Sequence, residues 1–200
     1  MGFARGSSTA AHPGVVCSAD RMRCLVVSSQ RQHLRVIWTE LRTFSYRDLR
    51  GGGWSRRAID AAVAGGRLIR VRKGTYLPGS CPAAVNEALA QGGRLDCLSL
   101  LSLLGVFVLE ATRLHIAFDH GTTRVLERAE RGVVRHWRSS GAPKHQAVVD
   151  VVGALAHACR CQHTRAAIAT LDSAWHLGLA AEAAIDAVFR LLPRRYSPLR

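Results

Sequence analysis

One stretch constrains the fold more than any other: residues 44–77, FSYRDLRGGGWSRRAIDAAVAGGRLIRVRKGTYL. Ser45 and Asp48 have the spacing of a capping box, in which a hydroxyl satisfies one orphan N–H of a helix start and a carboxylate another. The helix they begin must be short. Gly51, Gly52 and Gly53 follow, and there the chain can take positive φ without a Cβ clash. Ser55 then caps a second helix over residues 56–64, which Gly65 and Gly66 stop. Ile59, Ala62 and Val63 form its inward stripe, and Trp54 is placed to plug the turn. Arg56, Arg57, Asp60, Ala61 and Ala64 fall on the outward face. Residues 67–72, RLIRVR, alternate basic and apolar side chains with minor slippage, the period of a strand. Lys73 and Gly74 turn the chain into Thr75-Tyr76-Leu77, and Pro78, Gly79 and Pro82 close the unit. Two short helices, a glycine turn and a basic hairpin, in that order, predict a winged helix-turn-helix.

Charge points to the partner of such a unit. The chain carries 28 Lys+Arg against 14 Asp+Glu, a net +14, which favours a polyanion such as nucleic acid or an anionic membrane. Residues 42–77 hold nine basic and two acidic side chains, so half of that excess lies in under a fifth of the chain. A spanning helix needs roughly 20 apolar residues. The longest apolar run here, residues 98–109, is shorter and is interrupted by Ser99, Ser102 and Gly105. Residues 1–21 have no apolar core of a signal peptide. Six irregularly spaced cysteines suit reduced thiols. The expectation is a cytoplasmic protein with no membrane partner.

The remaining chain predicts a second, mainly helical α+β domain over residues 83–195, so that the whole is α+β. Residues 1–33, rich in Ser, Ala, Gly and Arg, read as a disordered or non-native extension, and residues 196–200 as a tail. Leu34, Ile37, Trp38 and Leu41 have helical spacing and open the winged domain, 34–80. Helices are expected at 85–90, 96–104, 145–159, 164–177 and 181–192, the third signalled by Pro143. Strands are expected at 114–118 and 133–137.

Arg56 and Arg57 stand in the first turn of the second helix, the part that meets base edges in the major groove. Arg can donate two hydrogen bonds to guanine, worth about 1–3 kcal/mol of discrimination. Arg67, Arg70, Arg72 and Lys73 suit phosphates or a neighbouring minor groove; Arg47, Ser55 and Asp60 complete the expected double-stranded-DNA contacts. A solvated basic face is the plain alternative, and RNA the rival nucleic acid. His157, Cys159, Cys161 and His163 alternate, but paired zinc ligands usually stand two to four residues apart. Alternate residues on a helix also diverge, so buried thiols at a helix end, with no metal, are expected. Cys97 is expected as a small core residue, Asp96 as an N-cap, and Asp172 with His176 as helix neighbours. No catalytic pair and no nucleotide-cradling loop is evident, so neither enzyme activity nor a cofactor is expected.

Residues 44–77, together with RLDCLSLLSLLGVFV, LHIAF, VVRHWR and LDSAWHLGL, resemble the AbiEi-type antitoxins and related actinobacterial winged helix-turn-helix regulators across residues 34–195. The resemblance implies a DNA-binding transcriptional regulator of the type IV toxin–antitoxin kind, repressing its own promoter. It implies, for the larger domain, counteraction of a nucleotidyltransferase toxin with or without direct contact. Readers of this kind are often homodimers, because two half-sites multiply specificity. Many proteins with this arrangement continue, after a Leu-Pro-Arg-Arg-like segment, into a Vsr-like endonuclease domain. This chain stops at LPRRYSPLR, where that domain would begin. The alternative expectation is therefore a truncated remnant of such a nuclease without its catalytic domain.

Overall fold

A computed structural model of the chain describes residues 41–122, 132–139 and 145–193. The extension 1–33, the helix expected at 34–41 (Leu41 excepted), Pro143 and the tail 196–200 lie outside the described residues. The described architecture is mixed α+β, with seven helices and two three-stranded sheets.

Strand β1 (Phe44–Ser45) leads into helix α1 (Tyr46–Gly51), and the capping box forms as its sequence requires. Asp48 N donates to Ser45 Oγ at 3.1 Å, and Ser45 N to the Asp48 carboxylate at 2.7 Å. That second bond, then the hydroxyl contact, holds the Asp48 carboxyl below its ordinary value of 3.8. Gly53, at φ 85°, turns the chain toward helix α2 (Arg56–Ala64), capped by Ser55 Oγ on Ala58 N at 3.1 Å. A cap of this kind contributes about 1 kcal/mol.

The hairpin of strands β2 (Leu68–Arg72) and β3 (Thr75–Pro78) follows, and β3 also pairs with β1, giving the order β1-β3-β2. This sheet is apolar on both faces. Leu68 and Tyr76 join Leu49, Ile59 and Ala62 in a small core beneath α1 and α2, with Trp54 packed against it. Leu77, one residue on, faces the opposite way and is fully buried in a larger core, which Ile69 and Val71 also border. The two-residue period thus divides adjacent side chains between two cores. The register slips between Arg70 and Arg72, the irregularity in the alternation. Gly79 is required by close approach: a Cβ there would stand 1.8 Å from the Gly66 carbonyl oxygen, and Gly79 N donates to Arg67 O at 2.7 Å.

The larger core gathers the remaining elements: α3 (Ala83–Ala90), β4 (Arg94–Leu95), α4 (Cys97–Leu103), β5 (Leu114–Asp119), β6 (Val133–Arg138), α5 (Val151–Cys161), α6 (Thr164–His176) and α7 (Glu182–Leu191). Their sheet runs β4-β5-β6, with β4 antiparallel and β6 parallel to β5. Central β5 buries four consecutive residues, His115 to Phe118, as a strand covered on both faces must. Edge strand β6 has no fully buried residue.

One expectation needs correction. The helix expected at 145–159 begins only at Val151, because Asp150 is its N-cap and accepts from Gly153 N at 2.7 Å. The preceding residues are extended instead: Gln146 bridges Arg42 and Val148 bridges Leu95, so buried Ala147, Val148 and Val149 line the core as a strand-like segment. Strands β1 and β4 are too short to leave a periodic signal. The helices at α4, α6 and α7 agree with expectation to within a residue at each end, as do β5 and β6.

Candidate functional site

The basic side chains expected to meet nucleic acid stand uncovered on well-anchored elements. Arg56, Arg57 and Asp60 are exposed on α2, while Ile59 and Ala62 on its other side are 1% and 0% exposed. Ser55, also exposed, uses its hydroxyl on the cap and holds the first turn of α2 in place. Arg70, Arg72 and Lys73 are exposed on β2 and its turn, where Arg72 Nε reaches Thr75 Oγ1 at 3.4 Å. Arg67 lies 6.0 Å from the Trp54 ring centroid, a loose cation–π contact joining the hairpin to the interhelical turn. Arg47 is exposed on α1. The neighbouring Arg50, outside the expected set, donates to Trp54 O at 3.1 Å and braces the same turn.

A second constellation lies in the larger core, where the four alternating ligand types, three at the end of α5 and His163 just beyond it, do not act together. Cys159 is buried in the apolar core, and burial pushes its thiol up to about 11. Cys81 is likewise buried and pushed up to about 12. Cys161 instead meets three side chains from elsewhere: Cys97 at the start of α4, His115 on β5 and His136 on β6. One sulfur or ring nitrogen from each lies within 4.8 Å of all the others. His115 Nδ1 and His136 Nε2 are 3.1 Å apart, and Cys161 Sγ is 3.9 Å from that same Nε2.

The local sequence explains this convergence. Parallel pairing of β5 with β6 sets His115 opposite Val134 and His136 opposite Ala117, so the histidines are diagonal neighbours. Asp96 ends β4's extended run and accepts from Cys97 N at 2.6 Å, while Cys97 takes φ 51°. The other Asp96 oxygen meets His157 Nδ1 at 2.6 Å, and Arg138 approaches it at 3.9 Å. His157 stacks on His136 with centroids 4.5 Å apart, and His136 on His115 at 5.3 Å. Asp96 is thus the expected N-cap and also the buried anchor of a three-histidine stack. The two sulfurs differ electrostatically. Burial raises the Cys97 thiol, whereas hydrogen bonds from Cys97, then His115 and His136, pull Cys161 well down.

The cluster is closed on its inner side, with Cys97 0% and His115 5% exposed, and open at Cys161. There it borders a surface pocket of about 590 Å³ lined by Arg113, Arg160, Gln162 and Glu110 among others. Asp172 and His176 form the expected exposed pair on α6, at 3.3 Å. Among the described residues no helix is long and apolar enough to cross a membrane. No protein-family model matches the chain, and no curated protein does. The resemblance to AbiEi-type antitoxins therefore stands on the sequence motifs alone.

Proposed function

We propose that the protein is a DNA-binding transcriptional regulator whose residues 44–77 act as a winged helix-turn-helix. The observation that carries this reading is the division of α2 into a buried apolar side and an uncovered basic one, with the exposed cations of the hairpin beside it. In α2, Ile59 and Ala62 are held in the small core, which leaves Arg56 and Arg57 free in the first turn. That turn is the part of a recognition helix that meets base edges, and Arg is suited to guanine O6 and N7. Arg70, Arg72 and Lys73 extend from the hairpin, where cations neutralise phosphates and give affinity without sequence information. Regulation of its own promoter, and the role of a type IV antitoxin opposing a nucleotidyltransferase toxin, follow from the resemblance.

The test is a gel-shift series with the full chain on its own upstream DNA and on random duplex, at two salt concentrations. The reading expects preference for the upstream DNA. Replacing Arg56 and Arg57 together by Ala should cost about 1–3 kcal/mol per lost base contact on the specific site and much less on random DNA. No preference by the unsubstituted chain, or equal losses on both DNAs, would overturn it.

A further inference from the structure

We propose that Cys97, His115, His136 and Cys161 form a structural zinc site that pins the edge of the second sheet. Donor chemistry is the first argument. Two thiolates and two imidazoles are a common tetrahedral zinc set, and with Zn²⁺ they sum to zero charge, which a mostly buried site tolerates. Geometry is the second. Zn–S bonds of about 2.3 Å and Zn–N bonds of about 2.0 Å place tetrahedral ligand atoms about 3.3–3.8 Å apart. The separations of 3.1 Å between the two ring nitrogens and 3.9 Å between Cys161 Sγ and His136 Nε2 bracket that range. The remaining separations stay within 4.8 Å, so small side-chain rotations close the site around one ion.

The third argument is placement. The four ligands come from α4, β5, β6 and the C-terminal turn of α5, elements far apart in the chain. β6 needs such a fastening, since none of its residues is fully buried and it lies at the sheet edge. All four zinc positions are filled by protein, the mark of a structural rather than a catalytic ion. On binding, both sulfurs coordinate as thiolates, any proton they hold leaves to solvent through the opening at Cys161, and each imidazole turns a lone pair to the ion. The stack of His157 on His136, held by Asp96, fixes the ring plane of one ligand before the ion arrives.

Elemental analysis of the full chain, purified without chelator and with added zinc, should find one zinc per chain. Cobalt loading should give the intense visible bands and thiolate charge-transfer band of a tetrahedral two-sulfur site. Cys161→Ala alters an exposed side chain and should weaken metal binding by more than about 100-fold, beyond what loss of a supporting hydrogen bond costs. Cys159→Ala, two residues earlier and on the opposite, buried side of α5, should keep its zinc. Metal no higher than a buffer blank, an octahedral cobalt spectrum, or a Cys97–Cys161 disulfide in the native protein would overturn the proposal. So would equal loss of zinc in the two cysteine variants. Should either variant fail to fold, the cobalt spectrum of the unsubstituted chain decides.

Discussion

Removing the three hairpin cations, with Arg70, Arg72 and Lys73 replaced together by Ala, isolates the electrostatic part of the proposed interface. All three side chains are exposed, and the only hydrogen bond lost among those described is Arg72 Nε to Thr75 Oγ1 at 3.4 Å. The apolar residues between and beside them, Leu68, Ile69, Val71 and Leu77, stay in their cores. Folding stability should therefore change by no more than about 0.5 kcal/mol per site. Each cation that neutralises a DNA phosphate contributes about −0.9 to the slope of log affinity against log salt. Three contacts amount to about 2.7 in slope. From about 50 mM to about 200 mM salt, the unsubstituted chain should thus lose about 40-fold more affinity than the variant. Fluorescence anisotropy on a labelled duplex across four salt concentrations reads this directly, with thermal melting as the folding control. The preference for upstream over random DNA should survive, because phosphate contacts carry no sequence information. An unchanged slope in a folded variant would refute the assignment of the hairpin to phosphate.

Two further outcomes follow from the packing and the caps. Gly79→Ala puts a Cβ against the Gly66 carbonyl and threatens the 2.7 Å bond from Gly79 N to Arg67 O; urea unfolding should show a loss of about 2–4 kcal/mol. An unfolding midpoint equal to that of the parent would show that the turn yields freely. Asp48 has a folded-state pKa below its unfolded one, so its stabilisation is complete above the ordinary value of 3.8 and is lost as pH falls through the folded value. Asp48→Asn should therefore flatten the acid side of the stability curve and lower stability at neutral pH; an identical acid limb in both proteins would contradict this.

Local rules made the first unit legible. Ser45, Asp48 and Ser55 are caps because a short oxygen-bearing side chain beside an orphan N–H has one good partner, and all three caps form. Ile59 and Ala62 are buried because helical period puts them on one side, and Leu68 through Leu77 divide because a strand's period is two. The extended run from Ala147 to Val149 was hidden, since its strand-like form comes from bridging partners at Leu95 and Arg42. Its apolar residues read equally well as the start of a helix.

The sequence by itself determined the basic unit at 44–77: its caps, its turns, its inward stripes and the excess of positive charge are all local in the chain. The Cys and His cluster was decided by tertiary structure. The alternation of His157, Cys159, Cys161 and His163 offered four ligands in one segment, and helical geometry disperses the first three as expected, with His163 beyond the helix end. What no spacing rule gives is that Cys161 meets Cys97, His115 and His136. That meeting depends on which strand lies beside β5, in which direction and in which register, and on where α5 ends against them. Such pairings are set by burial summed over the whole larger core, so a single His on each of two strands carries no trace of its partner until the sheet is assembled.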